Sequence, residues 1–258
     1  MATPPISDLL DFALDAAWQA GRITLGYFQN GVTAERKSDN SPVTIADKTA
    51  EKRLRELIQQ YWPDHGIIGE EFGDQVGTSG LTWTVDPIDG TKSFVQGVPM
   101  YSNLIAVTDD KGPLVGVANF PALNETIYAT RAGGCFWNGR RAHVSDVKEL
   151  KDAVLLSSEI DYSKFDANKE RSWNQLVKST YIQRTWGDSY GYALVATGRA
   201  DIMIDPWMAI WDCGPLQVIL EEAGGTFTDW KGKATIYNGE SFATNGHLYD
   251  TVMNIIQG

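Results

Sequence analysis

Two aspartates three positions apart stand where an apolar strand meets a turn, and carboxylates at that spacing suit a divalent metal ion. Asp86 and Asp89 follow the alternating run 81–85, which predicts a strand that ends at Asp86. Gly90 allows the sharp change of direction that follows, so both carboxylates are expected at the strand's carboxyl end. Carboxylate oxygens and a turn carbonyl, such as that of Ile88, are ligands that Mg²⁺ takes. The segment therefore predicts a metal site.

A phosphate site is predicted beside these aspartates. A helix is expected to begin near Thr91, and the first N–H groups of a helix lack partners and carry the positive end of the helix dipole. Asp-Pro and Asp-Gly are also ordinary turn dipeptides. The combination of a strand, paired acids, a glycine and a threonine favours the functional interpretation.

Other acidic residues also stand at predicted strand ends or helix starts. Glu70 follows a short apolar strand, Asp47 lies in the first turns of one helix, and Asp212 lies in the first turn of another. Each has a simpler interpretation, as a solvated loop acid or as an acid that complements a helix dipole. Because such positions converge on a crevice, four carboxylates are expected to meet there and to repel one another unless cations are bound. They are Glu70, Asp86, Asp89 and Asp212.

Hydrophobic periodicity predicts a mixed α/β chain. Helices are predicted at 6–28, 43–61, 169–178, 189–197, 211–223 and 247–256, and strands at 65–69, 81–86, 103–108, 114–120, 126–130, 153–157, 182–185 and 202–204. The polar stretch 35–42 is predicted to be a mobile loop. Residues 146–152 are the best candidate boundary between an N-terminal half, 1–148, with the metal motifs, and a C-terminal half, 149–258, with the specificity segment. The two halves are expected to pack as one globular unit.

Composition narrows the class of protein. The 258 residues include 33 acidic and 22 basic ones, and a net charge of -11 would repel nucleic-acid backbones. We therefore expect no nucleic-acid partner. Cys135 and Cys213 are far apart, which indicates free thiols in a reducing compartment. With neither a signal peptide nor a membrane-spanning run visible, the protein is expected off the membrane in the cytoplasm, or in an organelle stroma after removal of a transit peptide.

Three segments resemble the signature segments of the inositol monophosphatase superfamily, in the family's order. They are Gly69-Glu70-Glu71, Asp86 to Thr91, and Trp211-Asp212 through Gly224-Gly225. The resemblance covers nearly the whole chain. It implies a layered α-β-α-β-α sandwich, a homodimer, and hydrolysis of small phosphomonoesters with magnesium.

The resemblance also implies which residues hold the metal ions. Glu70, Asp86 and the Ile88 carbonyl would hold one magnesium ion. Asp86, Asp89 and Asp212 would hold a second ion, and a third, weaker ion is expected near Glu70.

Water activation and phosphate binding are implied in the same way. Together with Glu70, the pair Thr91 and Asp47 matches the residues that activate and orient the attacking water. The N–H groups of Gly90 and Thr91 match the phosphate seat.

One further stretch bears on the substrate. The run 185–192, taken with 86–94, resembles the histidinol-phosphate phosphatases of this superfamily. Asp188 and Asp205 would then face the alcohol part of the substrate, and L-histidinol phosphate offers an ammonium and an imidazole as partners for carboxylates. The other predicted substrate contacts are Trp186, Gly187, Ser189 and Lys92.

Several alternatives stay open at this point. Asp188 has a second interpretation as a helix N-cap, Asp205 as a turn residue, and Lys92 as a solvent-exposed side chain. An inositol monophosphatase, a fructose-1,6-bisphosphatase-like enzyme or a phosphoadenosine-type phosphatase would use the same metal motifs. A protein of another class, which binds metal and a phosphorylated ligand without catalysis, would keep the acids but would not need the pair that orients water.

Overall fold

The computed structural model describes residues 4–38, 41–162 and 165–258. The helices in this part of the chain are α1 (Ile6–Tyr27), α2 (Ile45–Tyr61), α3 (Thr91–Val95), α4 (Ala167–Ser179), α5 (Ser189–Ala196), α6 (Ile210–Glu222) and α7 (Tyr249–Gln257). The strands are β1 (Glu35–Arg36), β2 (Pro42–Val43), β3 (Gly66–Gly69), β4 (Thr82–Asp89), β5 (Ser102–Asp109), β6 (Gly112–Phe120), β7 (Glu125–Thr130), β8 (Gly134–Trp137), β9 (Arg140–Arg141), β10 (Val154–Ser157), β11 (Ile182–Arg184), β12 (Ile202–Asp205), β13 (Thr226–Thr228) and β14 (Ser241–Thr244).

The first two layers are formed by α1 and α2 on a seven-stranded sheet. The strands lie in the order β3-β4-β5-β6-β7-β8-β9, and only β3 and β4 pair in parallel. Along α1, buried alanines such as Ala13, Ala17 and Ala20 allow the helix to approach the sheet closely. Trp83 and Val85 of β4 point into this interface, as the alternating pattern predicts.

A second sheet and two further helix layers complete the sandwich. Its strands lie in the order β11-β10-β12-β14-β13. Leu155 packs with the outer helices α4 and α7, whereas its neighbour Leu156 packs with α5 and α6. Since α5 and α6 also cover the inner face of the first sheet, they form the middle layer. The predicted α-β-α-β-α architecture is confirmed, while the division near residue 148 stays a prediction.

Some local predictions were wrong. The stretch 35–42 was predicted to be a mobile loop, but β1 and β2, at its two ends, pair antiparallel. Its residues 39 and 40 lie outside the described residues. No strand was predicted after residue 225, yet β13 and β14 pair there and complete the second sheet. Each strand of these two pairs has two to four residues, which is too short for periodicity to show.

The middle layer depends on a close contact between β6 and α6. A Cβ atom on Gly116 would lie 2.4 Å from the Pro215 carbonyl oxygen, which belongs to backbone and cannot move aside easily. Gly116→Ala is therefore expected to reduce the free energy of unfolding by about 1–3 kcal/mol, measured in urea. Gly26→Ala in α1 meets no atom within 4 Å and is the control, since it should raise stability by about 0.5–1 kcal/mol. Equal effects of the two changes would contradict this packing.

No helix in the described part of the chain combines the length and the apolar character that a membrane span requires.

Candidate active site

The predicted metal segment lies at an irregularity in β4. The strand was expected to end at Asp86, but it continues to Asp89 with a shift in its register against β5. Pro87 has no N–H group to donate to the ladder, and its carbonyl accepts a hydrogen bond from Asn103 Nδ2 at 2.7 Å. The Ile88 N–H donates to Asp86 Oδ1 at 2.9 Å. This bulge holds the two aspartates at the edge of a crevice.

Three carboxylates converge at this bulge. One oxygen from each of Asp86, Asp89 and Asp212 lies within 4.8 Å of the others. Burial, followed by the charges of Glu70 and Asp212, raises the pKa of Asp86 well above its usual value. Burial and the charge of Asp188 raise the pKa of Asp89 to about 7, and burial and Asp89 raise that of Asp212 to about 8. The cluster thus carries an unfavourable concentration of negative charge.

Asp212 reaches the cluster from the middle layer. It lies in the first turn of α6, where the Ala209 N–H donates to its Oδ2 at 2.8 Å. This bond fixes the carboxylate at the helix start, as the sequence predicts.

Glu70 follows β3, which pairs in parallel with β4, and it lines the same cavity of about 860 Å³ as the three aspartates. Lys37 Nζ lies 2.8 Å from Glu70 Oε1 and 2.7 Å from Glu71 Oε1. Although burial lowers the pKa of Lys37, its bonds to the two glutamates raise it overall. Burial raises the pKa of Glu71 to about 7. One ammonium therefore bridges two carboxylates where a third cation was expected.

Two buried side chains face the bulge, Asp47 from α2 and Thr91 from α3. Thr91 Oγ1 lies 3.2 Å from Asp47 Oδ1 and 2.9 Å from the Ile88 carbonyl oxygen. The other oxygen of Asp47 accepts hydrogen bonds from the N–H and the hydroxyl of Thr44, at 2.8 and 2.6 Å. This capping box directs Asp47 toward Thr91, and burial raises the pKa of Asp47.

Asp188 lines the same crevice, next to Gly90, in a strained conformation. Its φ of 49° and ψ of -157° are rarely adopted by residues other than glycine. A Cβ atom on Gly90, which has φ 82°, would lie 2.8 Å from Asp188 Oδ2, so the carboxylate packs against the turn. The Asp188 N–H donates to Ser158 Oγ, and the Ser189 N–H donates to Asp89 Oδ2, both at 2.7 Å. Asp188 stands at the N-cap position of α5, but its side chain makes no capping bond.

Asp205 lines the same cavity as Asp188 and is more deeply buried. It is buried, and its Oδ2 accepts hydrogen bonds from Ser158 Oγ at 2.7 Å and from the Tyr192 hydroxyl at 3.5 Å. Burial raises its pKa well above the usual value. Burial and the charge of Asp212 raise the pKa of Asp188 to about 6. Two acids that are not in the metal cluster therefore line a cavity that Asp89 and Asp212 also line.

The remaining predicted contacts divide into two groups. Lys92 and Gly187 line a cavity of about 450 Å³ at the mouth of the crevice, and Ser189 lines a smaller one behind it. Lys92 Nζ is paired with Glu159 Oε2 at 2.7 Å, and both side chains are largely exposed. Trp186 is exposed and is not among the residues that line these cavities.

The structure brings nearly all predicted site residues to one crevice, but the sequence did not reveal several of their partners. Lys37 belongs to the stretch predicted to be a loop, and Glu71 belongs to a signature segment but was given no role of its own. Glu51 is fully buried beneath Glu71. The one local signal for Glu51 was an arginine four residues later on the same helix, a spacing at which oppositely charged side chains meet.

The arrangement suits hard cations. Three carboxylates with raised pKa values lie within reach of one ion, a donor set that magnesium or calcium takes. Bound cations would remove the repulsion that raises those pKa values. The residues present therefore fit a divalent metal site.

Comparisons with known proteins agree with this geometry. The model of the "Inositol monophosphatase family" matches residues 6–257. The chain is 40% identical to a histidinol-phosphatase of Chlorobaculum parvum over 91% of each chain, and 38% identical to one of Mycobacterium tuberculosis over 93% of each. It is 36% identical to an inositol monophosphatase of Mesembryanthemum crystallinum, covering 90% of this chain and 89% of the relative.

Solved structures show the same fold. The extragenic suppressor protein SuhB of Bartonella henselae superposes with a TM-score of 0.91 at 26% identity, covering 97% of this chain and 98% of SuhB. An inositol monophosphatase of Thermotoga maritima gives a TM-score of 0.87 at 29% identity over 97% of each chain. The protein is a phosphatase that belongs to the inositol monophosphatase family.

Proposed function

We propose that this protein is a magnesium-dependent phosphomonoesterase that hydrolyses L-histidinol phosphate to L-histidinol and phosphate. One observation carries the proposal: further carboxylates, Asp188 and Asp205, line the crevice beside the cluster of carboxylates that suit a metal ion. A substrate that suits both groups of carboxylates has a phosphate for the metal ions and cationic groups for Asp188 and Asp205. The similarity to histidinol-phosphatases supports the same substrate.

The proposed magnesium ligands are those of the family resemblance. Glu70, Asp86 and the Ile88 carbonyl would hold one ion, Asp86, Asp89 and Asp212 a second, with a third near Glu70. The Ile88 carbonyl accepts a bond from Thr91, but a carbonyl oxygen has a second lone pair for a metal. When bound, the ions lower the pKa of a water and neutralise charge that develops on the phosphoryl group.

The chain's own residues would then orient the reactants. Asp47 holds the Thr91 hydroxyl, whose oxygen can accept a hydrogen bond from the attacking water. Asp47, with its raised pKa, is suited to receive a proton that passes through this hydroxyl. The N–H groups of Gly90 and Thr91 would bind phosphate oxygens, and Lys92 would add a positive charge at the mouth.

A substrate panel tests the proposal. Phosphate release from L-histidinol phosphate with magnesium is expected to exceed release from inositol 1-phosphate by a large factor, and a chelator should abolish both. Equal or reversed rates would exclude the histidinol assignment but keep a phosphatase. Metal-dependent binding of the esters without turnover would instead identify a non-catalytic binder.

Asp188 provides a sharper test of substrate choice. Asp188→Asn keeps the side-chain shape and a residue type that tolerates positive φ, but it removes the charge. Loss of a charge-assisted bond is worth roughly 1.5–3 kcal/mol, so kcat/KM for L-histidinol phosphate should fall about ten- to one hundred-fold. Inositol 1-phosphate, a polyol ester, is the internal control and should lose much less. Equal losses on both esters would assign Asp188 to the metal site rather than to the substrate.

One relative favours a second candidate. The inositol monophosphatase at 36% identity matches 90% of this chain, so a polyol phosphate is the alternative substrate. It requires Asp188 and Asp205 to bind hydroxyl groups, and the Asp188→Asn comparison separates the two. A homodimer, a cytoplasmic location and the absence of a nucleic-acid partner complete the proposal, and light scattering of the purified protein tests the first of these.

A further inference from the structure

A buried carboxylate outside the predicted site grips the backbone that carries Glu70. Glu51 lies on α2 and is completely buried. Its Oε2 accepts a hydrogen bond from the Glu71 N–H at 2.7 Å, and its Oε1 accepts one from the Phe72 N–H at 3.2 Å. One carboxylate thus binds two successive amides immediately after Glu70. Bonds from N–H groups to a buried charged acceptor are among the stronger hydrogen bonds in proteins.

Arg55, on the same helix, adds to these contacts, and we call Glu51 and Arg55 together the clamp. Its Nε donates to Glu51 Oε1 at 2.7 Å, and its Nη2 donates to the Phe72 carbonyl at 2.9 Å. Its guanidinium also lies 5.8 Å from the centre of the Phe72 ring. The pair therefore holds both the N–H and the carbonyl of Phe72, and the buried charge of Glu51 has a partner.

The chain on the other side of Glu70 is adapted to this grip. A Cβ atom on Gly69 would lie 2.2 Å from Glu51 Oε1, so only glycine permits the carboxylate to come this close. The Glu70 N–H itself donates to the Val85 carbonyl of β4 at 3.3 Å. Glu70 is thus held between the strand that leads to Asp86 and the clamp from α2.

We propose that Glu51 is a positioning residue that fixes Glu70 for metal binding through the backbone of Glu71 and Phe72. Without this clamp, the backbone next to Glu70 would keep its contact with β4 but would lose its contacts with α2. Partners behind a metal ligand typically change metal affinity by about ten- to one hundred-fold. The inference rests on the proposed role of Glu70 as a ligand, but it does not depend on which ester is hydrolysed.

The test replaces Glu51 by its isostere. In Glu51→Gln the amide group places a donor against a backbone donor, so one of the two bonds is lost. Binding of Mn²⁺, measured by electron paramagnetic resonance, is expected to weaken about ten- to one hundred-fold. At saturating Mg²⁺ the KM for the ester should stay within about three-fold, since Glu51 is not expected to touch the substrate. In the metal-free protein, hydrogen exchange of the peptide that spans residues 69–73 should accelerate.

Asp109→Asn is the matched control. Asp109 forms a two-bond ion pair with Arg131, at 3.0 and 3.1 Å, at the opposite end of β5 from the metal segment. Its loss should lower the melting temperature without changing Mn²⁺ affinity. If Glu51→Gln behaves in the same way, with unchanged Mn²⁺ binding, then Glu51 is only structural and the proposal is overturned.

A second variant covers the case in which Glu51→Gln does not fold. Arg55→Lys keeps the charge but cannot bond Glu51 and Phe72 together through one planar group. Weaker Mn²⁺ binding in this variant supports the clamp, and wild-type affinity refutes it. If the wild-type protein binds Mn²⁺ but hydrolyses no phosphate ester, the proposed function fails while the test of the clamp still stands.

Discussion

Asp89→Asn is expected to reduce kcat/KM for phosphate-ester hydrolysis by about 10³-fold or more while leaving the fold intact. Loss of one preorganised group that stabilises transition-state charge lowers kcat by about 10²–10³-fold in other enzymes. The variant would in addition lose a proposed metal ligand. The fold should survive because the asparagine carbonyl can still accept the bond that the Ser189 N–H donates to Asp89 Oδ2 at 2.7 Å. Initial rates with saturating Mg²⁺ measure the loss.

The same variant has an opposite effect on stability. The charge of a buried carboxylate in a crowded acidic site opposes folding, as the raised pKa of Asp89 shows. In EDTA at pH 8, Asp89→Asn should therefore melt at or above the temperature of the wild-type protein. A variant that unfolds early, or that keeps activity within ten-fold of wild type, would contradict the role of Asp89. Asp109→Asn, at the far end of the sheet, controls for the change of charge.

The metal segment could be predicted from sequence because its geometry is local. Asp86, Asp89 and Gly90 are separated by so few bonds that they stay close together even though the strand continues past Asp86 through a bulge. Asp212 was predictable for a similar reason, since a carboxylate in the first turn of a helix has its position fixed by backbone N–H groups. Only the convergence of Asp212 with Asp86 and Asp89 depended on the fold. It could be expected because side chains at strand ends and helix starts of a layered α/β chain converge on a crevice.

The missed features depend on contacts between distant parts of the chain. β1 and β2 have two residues each, so their pairing leaves no periodic pattern. Lys37 reaches Glu70 only because of that pairing region, and its sequence neighbours are typical of a loop. The positive φ of Asp188 also has no sequence signal, because a turn at that position would usually contain glycine. Strain of this kind is held by the surrounding packing and is found mainly at functional sites.

Glu51 illustrates the same limit more strongly. It lies twenty residues from Glu71, and its spacing from Arg55 predicts an ordinary surface ion pair on a helix. The structure instead buries the carboxylate completely beneath the segment that carries Glu70. Burial is what changes the interpretation from a solvated pair to a clamp, and burial of one face of α2 is decided by packing of the whole layer.

Without divalent metal, the protein is expected to lose stability as the pH rises from 6.5 to 8. Burial and neighbouring charges raise the pKa of Asp89 to about 7 and of Asp212 to about 8, and burial raises that of Glu71 to about 7. In the unfolded chain these carboxyls ionise near pH 4. Over this window the folded protein therefore retains protons that the unfolded chain has released, and each rise in pH favours unfolding.

The groups whose pKa shifts have the opposite effect on stability titrate outside the range from pH 6.5 to 8. His65 has a lowered pKa because it is buried, which makes folding more favourable as the pH rises, but only up to its unfolded value of 6.5. Asp109 and Asp229 have lowered pKa values, and their contribution is complete below the window. The pKa of Lys37 is raised from 10.5, so Lys37 titrates above this pH range.

Magnesium should reverse the trend. Metal binds the ionised carboxylates of the folded protein, so binding releases protons and becomes stronger as the pH rises. The stabilisation, RT ln(1 + [L]/Kd), should then grow between pH 6.5 and 8. Melting curves at each pH, in EDTA and in excess Mg²⁺, measure both trends. Asp212→Asn should flatten the decline in EDTA, because it removes a carboxyl whose pKa is raised to about 8, whereas Asp109→Asn should not. A melting temperature in EDTA that is constant or rises over this range would show that Asp89, Asp212 and Glu71 do not repel one another in the folded protein. It would also contradict the proposed metal site.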